Sequence, residues 1–377
     1  MSNFAFPANI DALTADWLNQ VISGEHQITD FSVDPLLGGY TASVYRLTLT
    51  YDSNATNLPT SLVAKFHTTK AKTRAYFELQ KIYQREVSFY RAMADKHDLP
   101  IPVCHAAEFD PDSGDFVLLL EDLSAARPGD WETDPIGDIR TALPQLARLH
   151  ARFWDDPILD QHDWIAFASD PENPPPYKEL WAEKVGKVRE LYNNQLNEQV
   201  WSVCDQWLAH WDEVMLCMGQ DTPTLVHTDV HLGQMFFPTE ALPRFVLFDW
   251  QNPTSGWAAE DVIHAIVCDL DIEDRRRHEQ ELFDLYYQEL CKLGIVDLSR
   301  DRFSFQCRLS LLWIYFMFFT LLSQADMRKT LITEVESAGD DLRDWIFEPL
   351  EAVTADWNLL EALDQAINEA KNLRANK

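Results

Sequence analysis

The chain has 377 residues, with 61 Asp plus Glu against 31 Lys plus Arg and a formal net charge of −30 at pH 7. That length suits two lobes better than one hydrophobic core, and a hydrophobic content of 46% is ample for burial. So acidic a chain lacks the basic surface that nucleic acid or an anionic membrane requires, and neither is expected as a partner.

The opening MSNFAFPANIDALTADWL has no basic start and no continuous apolar core, so no secretion signal is expected there. A leading helix is predicted over 11–22, begun near Asp11 or Thr14. Strands then dominate from Phe31 to Leu120. Residues 36–43, LLGGYTAS, connect two predicted strands, the second over 44–51. Gly38 and Gly39 let the backbone approach phosphates closely, with Ser43 closing the segment, although a plain hairpin turn explains two adjacent glycines equally well. Residues 61–68, SLVAKFHT, read as a short strand with Lys65 at its centre. A helix is predicted over 76–93, with Leu79, Ile82, Tyr83, Phe89, Tyr90 and Met93 at helical spacing. Glu86 falls inside that apolar stripe. An inward carboxylate needs a cation, and Lys65 is the candidate. Lysine on a strand with glutamate on the next helix is an arrangement that holds nucleotide phosphates, which favours the phosphate-loop reading of the glycines. Residues 116–123 form a buried strand running into Glu121, Asp122 and Leu123.

After Asp122 the character changes. A turn-rich stretch, SAARPGDWETDP, gives way to helical patterns over 139–154, 177–211, 261–269, 278–293, 301–322 and 342–372. Residues 155–176, with Pro171, Pro174, Pro175 and Pro176, read as an irregular insertion. The apolar run 309–322 is shorter than the roughly 20 residues of a membrane span and is expected as a buried helix, without membrane insertion. The fold class is therefore α+β: a small lobe over 1–123 with an antiparallel sheet plus helix, and a mostly helical large lobe over 124–377. Cys104, Cys204, Cys217, Cys268, Cys291 and Cys307 form no C-x-x-C pair, the pattern of reduced thiols in a cytoplasmic protein.

Two segments carry the chemistry, LVHTDVHLGQMFF over 225–237 and FVLFDWQ over 245–251. Each sets polar residues among large apolar ones, and a short link with Pro238 and Pro243 lets them pair as a hairpin. An acid ending a buried strand is costly unless its charge is compensated. Phosphoryl transfer uses such a set: Asp229 takes a proton from a hydroxyl, while Asp249 and the amide of Gln234 hold magnesium. The reading is a small-molecule kinase. The alternation His227, Asp229, His231 also suits zinc on one strand face, as in a metal hydrolase, but leaves Lys65 and Glu86 unexplained. A kinase-shaped nucleotide-binding protein without activity is the other alternative, prompted by Gln234.

The pattern H-x-D followed by an amide, and then an Asp after an apolar strand, resembles the aminoglycoside phosphotransferase and choline kinase superfamily. DWQ, with LARLHARFW over 146–154, is closest to its ecdysteroid kinase-like branch. The resemblance implies a protein-kinase-like fold, Asp229 as base, Gln234 and Asp249 as metal ligands, and Lys65 on the nucleotide phosphates. Gln234 departs from the usual Asn by one methylene. The resemblance also implies that Glu121 to Leu123 form a hinge whose backbone meets adenine. His227 is then a structural organiser of the loop, and Asp261 braces its backbone. An acid at a helix start needs no function beyond capping, so the two readings of Asp261 stand together. His150 is expected as a hydrogen-bonded core histidine.

The implied cofactors are ATP, with GTP as the alternative, and Mg2+. The partner is a small-molecule hydroxyl acceptor: an amino sugar, a choline-like amine, a steroid-like alcohol or a hydroxy acid. Asp269, Asp271, Glu273 and Asp274 could face an amine, but a solvated loop is the expected reading. The chain's acidity has the same two explanations, a solvated surface or a pocket for a cation. Of Trp257, Trp313, Tyr315 and Phe316, most are expected in the core.

Overall fold

A five-stranded sheet organises the first third of the chain. A computed structural model describes residues 6–22, 24, 26–36, 41–53, 57–93, 99–167 and 177–375. After a short helix α1 (Ala15–Val21) come β1 (Ile28–Leu36), β2 (Ala42–Tyr51) and β3 (Ser61–His67). Helices α2 (Ala71–Leu79) and α3 (Ile82–Met93) follow, then β4 (Cys104–Phe109) and β5 (Phe116–Glu121). The five strands form one sheet in the order β1-β2-β3-β5-β4, every neighbouring pair antiparallel. Thr14 caps α1 by accepting the Trp17 N–H at 3.2 Å.

Side chains alternate across a strand, so Leu62, Ala64 and Phe66 all enter the cluster with Trp17 and Leu18 of α1. Each fully buried large side chain there contributes roughly 1.5–3 kcal/mol. Val63 and Lys65 consequently point to the opposite face of the sheet. On α3, Tyr83 stacks on Phe116 of β5 at 4.7 Å between centroids, and Phe89 stacks on Trp250 at 4.1 Å. The helix expected over 76–93 is two helices. Lys81 between them has φ +57, which ends α2, and Leu79, placed in the apolar stripe by its spacing, is 82% exposed.

The chain divides into two compact units. The first comprises Met1–Gly129 together with Gly233–Pro253. This later piece supplies strands Met235–Phe237 and Val246–Leu247, which pair with each other and with β6 (Arg127–Pro128) in a three-stranded antiparallel sheet. A linear boundary between residues 123 and 124 does not provide for that excursion. The expected hairpin between the two motif segments is thus present as the Met235–Phe237 and Val246–Leu247 pair.

The second unit comprises Asp130–Leu232 and Thr254–Lys377 and is mostly helical. Its helices are α4 (Pro135–Arg152), α5 (Tyr177–Tyr192), α6 (Glu198–Ala209), α7 (Trp211–Met218), α8 (Ala259–Asp269), α9 (Ile272–Lys292), α10 (Arg300–Ser323), α11 (Ala325–Ala338), α12 (Glu348–Asp356) and α13 (Leu359–Ala375). A small sheet joins Thr254–Gly256 to Thr224–Val226 and Ala166–Phe167. Residues 177–211, expected as one helix, hold α5, α6 and the start of α7, because Asn197 starts a new helix by accepting the Val200 N–H. The stretch 342–372 likewise divides at Trp357 and Asn358, the latter at φ +47. Helix α11 has no counterpart among the expected elements. Among the described residues α10 is long and apolar enough to cross a membrane by length and composition, and 61% of its apolar window is buried inside the protein. Trp257 and Tyr315 lie in the core, whereas Trp313 and Phe316, also expected there in the main, are only partly buried. The described cysteines are all free thiols.

Candidate active site

The first unit gathers Lys65, Glu86, Gln234 and Asp249. Because Lys65 faces α3, its ammonium donates to Glu86 Oε1 at 2.8 Å and to Asp249 Oδ1 at 2.5 Å. Burial alone would lower the lysine's pKa, but the charges of Asp249 and Glu86 outweigh it and raise it. Glu86 is 1% exposed, and burial pushes its carboxyl up to about 7 against the pull of Lys65. Its second oxygen, Oε2, is buried with no hydrogen-bond partner. Lys65 therefore sits between two carboxylates, one of which is close to taking a proton near neutrality.

Asp249 follows the strand Val246–Leu247 and has φ +69. A non-glycine residue in that region is held there by its surroundings. Phe248 N–H donates to Gln234 O at 3.0 Å, and the Gln234 amide donates to Asp249 Oδ2 at 3.2 Å. Gln251 also donates to Asp249 Oδ1 and reaches Thr41 Oγ1 at 2.9 Å. No role was expected for Gln251; the only signal was its place in the DWQ wording. Both oxygens of Asp249 are thus met by positive or partly positive groups. Mg2+ takes oxygen ligands and keeps water and phosphate in most positions, so one carboxylate and one amide suffice as protein ligands. A half-turn of the Gln234 amide presents its oxygen in place of its nitrogen. The residues fit magnesium.

The remaining expected nucleotide residues are distributed along the sheet. Ser43 lies in β2 opposite Phe66. Glu121 pairs with Arg244 and accepts the Val103 N–H at 3.0 Å, so its side chain is engaged in holding the end of β5. Leu123 is buried and begins a single helical turn capped by Asp122, which also pairs with Arg46 at 2.9 Å. Gly38 and Gly39 lie outside the described residues.

In the second unit the loop over 227–232 is organised by Asp261. Its Oδ2 accepts the His227 N–H and its Oδ1 the Thr228 N–H, each at 2.8 Å. Thr228 has φ +71, a conformation costly for a β-branched residue. Asp261 also accepts from His150 Nε2 at 3.2 Å, and His150 Nδ1 in turn accepts the Tyr286 hydroxyl at 2.7 Å. Burial would raise the Asp261 carboxyl, but the His150 hydrogen bond and the nearby His227 outweigh it and leave it below the usual range. His227 is fully buried, and its Nδ1 accepts the Asp229 N–H at 3.3 Å. Asp229 itself projects outward with 41% of its side chain exposed, 3.9 Å from His231 Nε2 and 3.6 Å from His264 Nε2.

Asp269 corrects one expectation. It is not in a solvated loop: it is 6% exposed, accepting the Trp131 indole N–H at 2.7 Å and the Leu232 N–H at 2.8 Å. Burial drives its carboxyl well above the ordinary value against those two bonds. Asp271 caps α9 through the Asp274 N–H. The zinc reading also lacks its ligand set, since no group of three or more His, Cys, Asp and Glu among the described residues is arranged to hold a metal.

Residues 37–295 match the ecdysteroid kinase-like family. No curated protein matches the chain. Among solved structures, the chain is similar to an aminoglycoside phosphotransferase homologue from Ralstonia eutropha, at 16% identity and a TM-score of 0.48 over 95% of this chain and 97% of that one. It is also similar to a choline kinase from Streptococcus pneumoniae, at 13% identity and a TM-score of 0.48 over 89% and 95%. A choline/ethanolamine kinase family protein from Mesorhizobium loti gives 14% identity and a TM-score of 0.46 over 90% and 93%.

Proposed function

The chain belongs to the ecdysteroid kinase-like family, and from that premise we propose that it transfers the γ-phosphate of ATP to a hydroxyl of a small molecule. The observation that carries the reading is the Lys65 ammonium held by both Glu86 and Asp249. Lys65 neutralises phosphate charge, and Glu86 keeps the ammonium aimed. Asp249 and Gln234 hold Mg2+, which supplies charge neutralisation on the phosphate oxygens. The backbone at Gly38 and Gly39 is assigned to the phosphates, with Ser43 beside it, and the chain from Glu121 to Leu123 to the base of the nucleotide.

Asp229 acts as general base. Its exposed carboxylate takes the acceptor's proton as the acceptor oxygen attacks phosphorus, and the bound loop geometry fixes its direction. His227 and Asp261 act on that geometry and not on substrate. A carboxylate base fits an alcohol acceptor, and the four acceptor classes above remain the field to search.

The test is ADP release by the purified protein with ATP and magnesium against amino sugars, choline-like amines, steroid-like alcohols and hydroxy acids. Asp229→Asn should bind ATP like the parent and turn over the active acceptor at least about a hundredfold more slowly. Turnover within about threefold of the parent would remove Asp229 from the role of base.

A further inference from the structure

His264 lies three residues beyond Asp261 on α8, a spacing that puts both on the helix face toward the loop over 227–232. Its ring is 5% exposed. Nδ1 lies 2.9 Å from the Val230 carbonyl oxygen, and only a ring N–H is attractive there, so Nδ1 carries the hydrogen. Nε2 then faces Asp229 Oδ1 at 3.6 Å and Met317 Sδ of α10 at 3.4 Å. Neither atom offers a hydrogen while Asp229 is ionised. A histidine that merely satisfied the Val230 carbonyl would not need its second nitrogen directed at the base.

The surrounding charges hold the ring ready to accept. Burial lowers its pKa most strongly; Asp229 raises it, His231 from the loop lowers it, and Asp261 on the same helix raises it, with a net lowering. Cys268, one turn on, is kept as a thiol by burial, and Met317 is uncharged. The resting ring is thus neutral, with its lone pair toward Asp229.

We propose that His264 Nε2 receives the proton that Asp229 takes from the acceptor, which deepens and rests on the assignment of Asp229 as base. As the acceptor oxygen bonds to phosphorus and the bond from phosphorus to the departing ADP oxygen breaks, the O–H electron pair stays on the acceptor oxygen. The proton passes to Asp229, and Oδ1 hands it to Nε2, leaving carboxylate and imidazolium. Asp229 is then ionised while the product departs, with the proton on the ring behind it and not on the group beside the product oxygen. Burial disfavours the imidazolium, so the proton leaves again through Asp229, whose side chain is 41% exposed. The 3.6 Å separation closes to hydrogen-bond length by a small side-chain rotation, as catalytic contacts commonly do once substrate is bound.

His264 acts through Asp229 and not on substrate, so its test needs readouts that a structural role would leave alone. Imidazole-15N NMR should find His264 in the Nδ1–H neutral form near neutral pH, and Asp229→Asn should lower its pKa by about one unit. An unchanged pKa in Asp229→Asn overturns the relay. ADP release from ATP with water as acceptor is then followed from about pH 5 to 9 in the parent and in His264→Gln, whose amide can still donate to Val230 O. The expected result is a kcat lower by about tenfold or more, an unchanged KM for ATP, and loss of the acid limb that a titrating histidine gives. A parental pH profile in His264→Gln overturns the relay and leaves the kinase reading standing. A parent that releases no ADP with water or with any of the four acceptor classes overturns the kinase reading itself, and the relay with it. If His264→Gln fails to fold, the NMR comparison decides.

Discussion

Asp261 holds Thr228 in a left-handed turn: the carboxylate accepts the Thr228 N–H at 2.8 Å at a residue whose φ is +71. The same carboxylate holds the His227 N–H at 2.8 Å, so one buried acid fixes two successive amides just before Asp229. Its loss would remove the carboxylate acceptor of one buried and one part-buried amide, at up to roughly 1–3 kcal/mol each. Asp261→Ala should therefore lower Tm markedly and reduce turnover at the same time. Asp261→Asn, which keeps an acceptor, should retain more of both. Denaturant melts and ADP release on the two variants check this, and an Asp261→Ala protein as stable as the parent would contradict it.

Thr228 offers the complementary case. Glycine occupies positive φ without steric cost, at the expense of roughly 0.5–1 kcal/mol of chain entropy. The β-branched side chain costs about 1–3 kcal/mol there. Thr228→Gly should keep or raise Tm, whereas the same substitution in the middle of β2, at Thr48, should lower it. A clear drop in Tm for Thr228→Gly would show that the Thr228 side chain stabilises more than its backbone strain costs.

Lys65 has a part in stability beside the one proposed for it on phosphate. With Glu86 and Asp249 both at its ammonium, removing it leaves a buried carboxylate uncompensated, a change that costs about 3–5 kcal/mol. Lys65→Met should weaken ATP binding and also lower Tm near neutral pH. Adding Glu86→Gln should recover stability but not ATP binding. Calorimetry with ATP and thermal melts separate the two effects, and a Lys65→Met protein with parental Tm would mean that water reaches the pair.

Glu86 gives a pH dependence of defined sign. Its folded-state pKa is raised to about 7 from an ordinary 4.5, so its contribution to stability is present below about 4.5 and lost as pH rises through about 7. Glu86→Gln removes that dependence. The stability of Glu86→Gln relative to the parent should grow across this window, by about 3 kcal/mol at most, and level off above it. A difference curve that falls with pH would reverse the assignment.

For the metal, Gln234→Asn should hold magnesium in the presence of ATP at least as well as the parent, and Gln234→Ala should hold it less well. Asp249→Ala should abolish magnesium-dependent ADP release. Superimposable magnesium titrations for all of them would take both residues out of the metal site.

What the sequence made legible was cost. A glutamate in an apolar stripe and an aspartate ending an apolar strand each demanded a cation, and Lys65 answers both. Periodicity could not register a single backbone reversal, so the break at Lys81 and the exposure of Leu79 were invisible to it. Asp269 was hidden for another reason. Its partners, the Trp131 indole and the Leu232 amide, are 138 and 37 positions away, and nothing local marks a carboxylate as buried. His264 carries no signal in the sequence, because a histidine on an apolar helix is ordinary until its two ring nitrogens have partners.

The excursion Gly233–Pro253 also bears on the order in which the protein can be made. Lys65 and Asp249 are 184 positions apart, and Asp249 reaches its place only with the strand Val246–Leu247 that rejoins β6 through Met235–Phe237. A nascent chain emerging at roughly 5–20 residues per second would hold a finished five-stranded sheet while Lys65 still waited for its second carboxylate. The cluster of Lys65 with Glu86 and Asp249 is thus incomplete in an N-terminal fragment that ends before Asp249, however well that fragment folds. A product cut at Gly129 should keep the sheet and the Lys65–Glu86 contact but bind no magnesium nucleotide, so premature release from the ribosome yields a silent piece and not a rogue ATP binder.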